Sequence, residues 1–306
     1  MKKIALFAIA LLVALSSNAQ IGSVLGKKLK EKAEQTISNA IGDKTDENKN
    51  KNEVESEKQA VADDEELTPE KVIAMVPTMP NPQQIAEYLC ESHRANPRTL
   101  KMMTNPTTLY LTQLTAAGMG GYAAIASQYG RYYDFDDQLL KEFGVTREQY
   151  DAMSEQEQKD FAMKYAAEME DRYYKTIERL GSDEGYKKLM EKYNETEDQI
   201  NKLYSDADSI CRAIWSKKFD GKDNVSDDDR CGYFRQVMPD YYQTVVKAMR
   251  LRKTTQLSQA MQIDEYVQTL AKRYPNEVYA GLYSQSAICA TAYVTDAARI
   301  TTVPSN

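Results

Sequence analysis

The stretch YKKLMEKYNETEDQINKLYSDADSICRAI, residues 186–214, sets the fold class. Tyr186, Tyr193, Ile200, Ala207 and Ile214 recur every seven residues, and Leu189, Leu203 and Ile210 follow three positions later, with Thr196 as the exception. Apolar side chains three and four apart share one side of an α-helix, so the spacing predicts a helix with a coiled-coil seam. Immediately upstream, Phe161, Tyr165, Met169, Tyr173 and Ile177 form an i+4 stripe on a helix ending at Leu180. Only Gly181 and Ser182 separate the two patterns, which predicts a stop, a new start at Ser182 and an antiparallel helical hairpin over about residues 154–219. Its longer arm, Asp183 to Phe219, would extend ~50 Å at 1.5 Å per residue. Ile200 is expected to reject a charge, and Glu197 on the flank to tolerate alanine.

Outward from the hairpin, helix punctuation is dense. Thr68-Pro69, Asn81-Pro82, Asn96-Pro97 and Asn105-Pro106 each place a capping side chain before a proline. Thr146 with Gln149, and Ser154 with Glu157, have capping-box spacing. The only extended pattern is a short one at Ile300–Val303. The expected fold is all-α, a multi-helix bundle over residues 67–306.

Thr104 to Gly130 carries no ionisable side chain except its tyrosines, and Val278 to Thr295 is similar. Ala116, Gly120 and Ala124 in the first, and Ala280, Ser284 and Ala287 in the second, are small residues at helical spacing that let helix axes approach closely. Both are expected to be central helices, buried on most sides; a membrane-inserting hairpin is the alternative.

The N-terminus orders Lys2 and Lys3, an apolar run IALFAIALLVAL at 4–15, and small residues up to Ala19, the pattern of a signal peptide over residues 1–19. Export to a bacterial periplasm or the extracellular space is the expectation, with a mature chain from Gln20. Residues 20–42 place Ile21, Leu25, Leu29, Ala33, Ile37 and Ile41 on one helical stripe beside Lys27, Lys28, Lys30 and Lys32. Such a helix docks on a protein surface or makes peripheral contact with an anionic membrane through residues 21–41. Residues 43–66 hold ten acids, four lysines and no aromatic residue, the composition of a disordered acidic linker.

The chain has 39 basic and 46 acidic residues. Without Lys2 and Lys3 the balance is 37 against 46, a net charge of −9, which argues against nucleic acid as a partner. Four cysteines, Cys90, Cys211, Cys231 and Cys289, in an exported chain predict disulfides. A helical return after the loop following Phe219 would bring Cys211 and Cys231 to similar heights, leaving Cys90 with Cys289.

Few residues offer chemistry. His93 is the only histidine, and Cys90-Glu-Ser-His93 is not a metal-ligating spacing; no metal or other cofactor is expected. The acidic loop Asp220–Arg230 fails the EF-hand template, with Lys222 third and Cys231 twelfth; Ser226 as a helix cap with Asp227–Asp229 on the helix dipole accounts for the acids. The stretch YGRYYDFDD, 129–137, is the one candidate site: Tyr129, Arg131, Tyr132 and Tyr133 could hold a sugar ring, and Asp134, Asp136 or Asp137 could act as catalytic carboxylates. The reading favoured by the whole is an exported binding or scaffolding protein whose partner is a protein or an envelope surface. A glycan-active enzyme centred on 129–137 and a membrane-perturbing protein are the alternatives.

Overall fold

The computed structural model describes residues 68–130, 137–220 and 224–305. Side-chain oxygens before prolines open its first helices. Thr68 caps α1 (Pro69–Ala74), and Asn81 opens α2 (Pro82–Ser92) through a reciprocal capping box with Gln84. Proline suits the first helical position because its missing N–H would find no intrahelical partner there. Asn96-Pro97 starts no helix; α3 (Thr99–Met103) begins at Thr99, because Arg98 is turned back onto Glu91. Asn105 accepts from the Thr107 N–H at 2.8 Å and opens α4 (Pro106–Gly130).

Two short helices follow, α5 (Asp137–Glu142) and α6 (Arg147–Asp151), joined through Gly144, whose φ of 71° suits a residue without Cβ. Capping boxes at Thr146 and Ser154 start α6 and the long α7 (Glu155–Ser182) as expected. The next start is displaced by one residue. Ser182 bonds back to the Arg179 carbonyl and ends α7, while the Asp183 carboxylate accepts the Tyr186 N–H at 2.9 Å and opens α8 (Glu184–Phe219). Ser226 caps α9 (Asp227–Leu251), with Asp227, Asp228 and Asp229 in its first turn. The helix then continues through a π-helical segment, Arg252–Gln256, into α10 (Leu257–Arg273). A 3₁₀ turn at Ala280–Leu282, α11 (Gln285–Ala298) and a second 3₁₀ turn at Arg299–Thr301 complete the order. No strand occurs among the described residues, at Ile300–Val303 or elsewhere, and the all-α class holds.

The helix that returns along α8 is not α7 but the run 227–273. From Asp208 back to Glu197, Tyr193 and Asp183 the steps on α8 are 11, 4 and 10 residues. Their partners Tyr241, Arg252, Gln256 and Tyr266 advance by the same 11, 4 and 10. The two runs are therefore antiparallel in one register, with the reversal in the loop before Ser226. The side chains of α7 go elsewhere. Phe161 and Tyr165 meet Phe143, Phe161 meets Tyr150, and Arg179 stacks on Tyr274. The two-residue link predicted a fold-back there, but Asp183, tied to Tyr266 at 2.9 Å, directs α8 against α10 instead.

The buried stripe of α8 is Tyr193, Thr196, Ile200, Tyr204, Ala207 and Cys211. Its average step is that of a straight helix, and the heptad reading fails at its C-terminal end, where Ile210 is 60% exposed and Cys211 is buried. A straight helix drifts ~20° per heptad from a 3.5-residue repeat, so without supercoiling the seam moves on by one residue. The i+4 stripe of α7 drifts the opposite way: Thr176 and Leu180 are buried while Ile177 is open.

Cys90 and Cys231 stand at disulfide distance, with Cα atoms 4.8 Å apart, and tie α2 to α9. Cys211 and Cys289 are free and buried, so the expected pairs Cys211–Cys231 and Cys90–Cys289 do not form. Height was the wrong criterion. The Tyr233 hydroxyl reaches the Cys211 carbonyl at 3.2 Å, which fixes the face of α9 that looks at α8. Cys231, two residues earlier, is rotated ~200° away from Tyr233 and looks at α2.

Glu91 gathers the α2–α3 connection. It accepts from the Arg98 backbone N–H at 2.7 Å and from Arg98 Nη2 at 2.8 Å, with Arg94 and Lys101 beside it. The Arg98 side-chain hydrogen bonds above all, with its backbone N–H and the nearby cations, hold the carboxyl at about 2.

Two outcomes follow. Ile200→Asp should cost on the order of 3 kcal/mol or more in chemical denaturation, and Ile210→Asp less than about 0.5 kcal/mol; equal losses would restore the heptad seam. The depressed Glu91 carboxyl makes its contribution fully present above its ordinary value of 4.5 and lost as the pH falls toward 2. Melting temperatures of Glu91→Gln should therefore fall less steeply than those of the parent chain between those pH values.

Candidate functional site

Of the residues proposed for chemistry, Arg131, Tyr132, Tyr133, Asp134 and Asp136 lie outside the described residues. Tyr129 is in the last turn of α4 and Asp137 is the first residue of α5; their side chains are likewise outside what is described. His93 ends α2, with Nδ1 at 2.9 Å from the Leu89 carbonyl and 3.1 Å from Ser92 Oγ, a locally satisfied ring on the surface. Among the described residues no group of three or more His, Cys, Asp or Glu side chains could hold a metal ion.

The most concentrated polar chemistry lies where α8, the π segment and α11 meet, and sequence reasoning did not find it. Arg252 is 3% exposed. Its Nε donates to Asp296 at 2.5 Å, its Nη1 to Glu197 at 2.6 Å and to Gln256 Oε1 at 2.6 Å. Gln256 Nε2 in turn donates to Glu197 at 2.7 Å, and Cys289 Sγ lies 3.7 Å from Gln256 Oε1. The π segment carries both inward-facing members on neighbouring turns; the Leu257 N–H bonds the Arg252 carbonyl five residues back. Such bulges recur where a helix must present side chains that regular winding would misplace.

Two carboxylates share one guanidinium there. Burial raises both: at Asp296 it prevails over Arg252 and keeps the carboxyl above its ordinary range. At Glu197 burial also acts upward, but the hydrogen bonds and charge of Arg252, with Gln256, outweigh it and hold the carboxyl below. Burial pushes the Cys289 thiol up to about 12, which removes its nucleophilic form at neutral pH. Arg252, Gln256 and Asp296 are all closed to solvent. The cluster locks α8, the π segment and α11 together. The half-buried carboxylate of Asp264 on α10 accepts the N–H groups of Gln285 at 2.6 Å and Ser286 at 3.1 Å, neutralising the open N-terminus of α11. The signal in the sequence was Asp296 itself, the first charge after Glu277 at the end of an uncharged stretch.

The surface most suited to a partner is the outer side of α4. Thr107, Tyr110, Leu114, Ala117 and Gly121 are buried, and the helix packs on α11 and α1: a Cβ on Gly121 would meet Thr291 Oγ1 at 3.2 Å and Val72 at 3.3 Å. The two uncharged helices pack together, through Gly118 and Gly121 against Val294 and Thr291 rather than through the small residues named from the sequence. α11 is mostly buried, but α4 is not buried on most sides. Leu109 is 62% and Met119 68% exposed, with Thr112, Gln113 and Ala116 open between them. Thr112 Oγ1 donates to the Thr108 carbonyl at 3.0 Å and Thr115 Oγ1 to that of Leu111 at 2.9 Å. With their donors turned to the backbone, these threonines add little polarity to the face. Leu100 and Met103 of α3 are also open, and Met75 lies against Gly120. Among the described residues no helix is long and apolar enough to cross a membrane.

Glu197→Ala, expected from the sequence alone to be neutral, removes one partner of a nearly buried arginine. It should cost about 2–3 kcal/mol, below the ~3–5 of a fully buried pair because Glu197 is partly open to water, with partial recovery in Glu197→Gln. Denaturant midpoints of the two variants check this; a neutral alanine would show that Asp296 alone suffices. The chain matches no protein-family model, no curated protein and no solved structure.

Proposed function

We propose that this chain is an exported helical binding or scaffolding protein of the cell envelope or extracellular space, and that it engages a protein partner through the outer side of α4. The observation that carries the reading is a helix face open to solvent and without charge, in a chain where 28% of residues are charged. Water-facing helix surfaces are ordinarily covered by Lys, Glu, Arg and Asp, and contiguous apolar patches on proteins mark contact sites. Leu109 and Met119 supply apolar contact at the two ends of the face, and methionine adapts its shape to varied partners. The signal-peptide pattern of residues 1–19 and the Cys90–Cys231 pair support placement in an oxidising compartment. The basic stripe of residues 21–41 suits attachment at an envelope surface.

The test is site-specific photo-crosslinking in the native host. A photoreactive residue at position 119 should give a discrete protein adduct in the extracytoplasmic fraction, and Leu109→Asp should abolish it. The same probe at Lys202, on the exposed side of α8, should give none. No adduct at 119, or the same adducts at both positions, would overturn the reading.

A further inference from the structure

A second surface, unrelated to α4, lies on α8. Asn201, Tyr204, Ser205, Asp208, Ser209 and Arg212 line a groove of about 450 Å³, and Arg299 of the C-terminal 3₁₀ turn leans over it. We propose that this groove binds a phosphate group.

The argument rests on donors left over after the groove has satisfied itself. Arg299 is stacked on the Tyr204 ring, its guanidinium carbon 4.1 Å from the centroid, which fixes the plane of the fork. Its Nη2 donates to Asp208 Oδ2 at 3.3 Å, and its Nε is closed off from the groove, so what it can offer a ligand is the remaining N–H groups on its two Nη atoms. Asp208, the one carboxylate of the lining, is already engaged: Oδ2 takes Arg299 and Oδ1 takes the Tyr241 hydroxyl at 3.2 Å. Arg212 brings a second guanidinium from the same side of α8, two turns beyond Ser205, and is exposed. Two guanidinium groups against one paired carboxylate leave the lining net positive in a chain of net charge −7. Planar forks joined by a hydroxyl suit an oxyanion with several acceptor oxygens, and a phosphate offers more of them, and more charge, than a carboxylate. The positions 201, 204–205, 208–209 and 212 climb one side of the helix turn by turn and so line the groove along its length, with the Ser209 hydroxyl spent on the Ser205 carbonyl at 2.7 Å.

The test titrates inorganic phosphate into the full chain by calorimetry at constant ionic strength, with chloride as the balancing anion and acetate in a parallel arm. The expected result is saturable one-site binding near millimolar strength, with acetate at least ten-fold weaker. Arg212→Ala, which changes an exposed side chain and should keep the melting temperature, should weaken phosphate binding at least ten-fold. Lys202→Ala, on α8 outside the groove, should leave it unchanged. Arg299→Lys keeps the charge but loses the fork and should fall between. Absence of saturable binding, equal binding of acetate, or equal effects of Arg212→Ala and Lys202→Ala would each overturn the proposal.

Discussion

The Arg252 guanidinium is the constraint around which the described helices are arranged. It is tied at once to Glu197 on α8 and Asp296 on α11, and it is carried by the π segment that links α9 to α10. Taking these ions out of water costs several kcal/mol each, so their mutual pairing restores much of what burial removes rather than adding a large surplus. Their effect is geometric. A guanidinium offers its donors in one plane, and only one register of α8 against 227–273 brings Glu197 to Nη1 while Gln256 reaches the same carboxylate. The equal steps of the Asp208–Tyr241, Glu197–Arg252, Tyr193–Gln256 and Asp183–Tyr266 contacts express that register along most of α8.

Around this ladder the remaining helices are fixed by a different mix of forces. α2 is held to α9 by the Cys90–Cys231 pair and by Arg235 to Glu87 at 2.7 Å. α11 is set by Asp264 at its N-terminus and Asp296 near its C-terminus, with Cys289 and Ala290 packed between. α4 is positioned through small residues against α11 and α1, contacts that need close approach and little else. Its other side carries no charge and is open to solvent at Leu109, Thr112, Gln113, Ala116 and Met119.

Local structure was legible wherever it depends on a few adjacent residues. The Asn81 cap before Pro82, the capping boxes at Thr146 and Ser154, the Ser226 cap over three aspartates and the Asn105-Pro106 start all act within one turn, so their residue types suffice. Two caps were misplaced for a reason beyond that range: Pro97 lost to the Arg98–Glu91 pairing, and Ser182 to an aspartate that also bonds Tyr266. The repeats of α7 and α8 identified helices correctly but assigned their buried faces only approximately, since neither a 4.0- nor a 3.5-residue repeat matches a straight helix.

The amino-acid sequence by itself therefore determined an all-helical chain, the extent of α4, α7 and α8 and the helical nature of its two uncharged segments. Propensity, capping and small-residue spacing act between neighbours or through one helix surface. Which helix returns along α8, which cysteine faces Cys90, that Glu197 pairs with Arg252 and which side of α4 stays open were decided only by the tertiary structure. Each depends on the rotation of one helix about its axis relative to another. That angle is set by contacts between residues far apart in the chain, such as Asp183 with Tyr266 at a separation of 83 positions, and leaves no local mark in the chain.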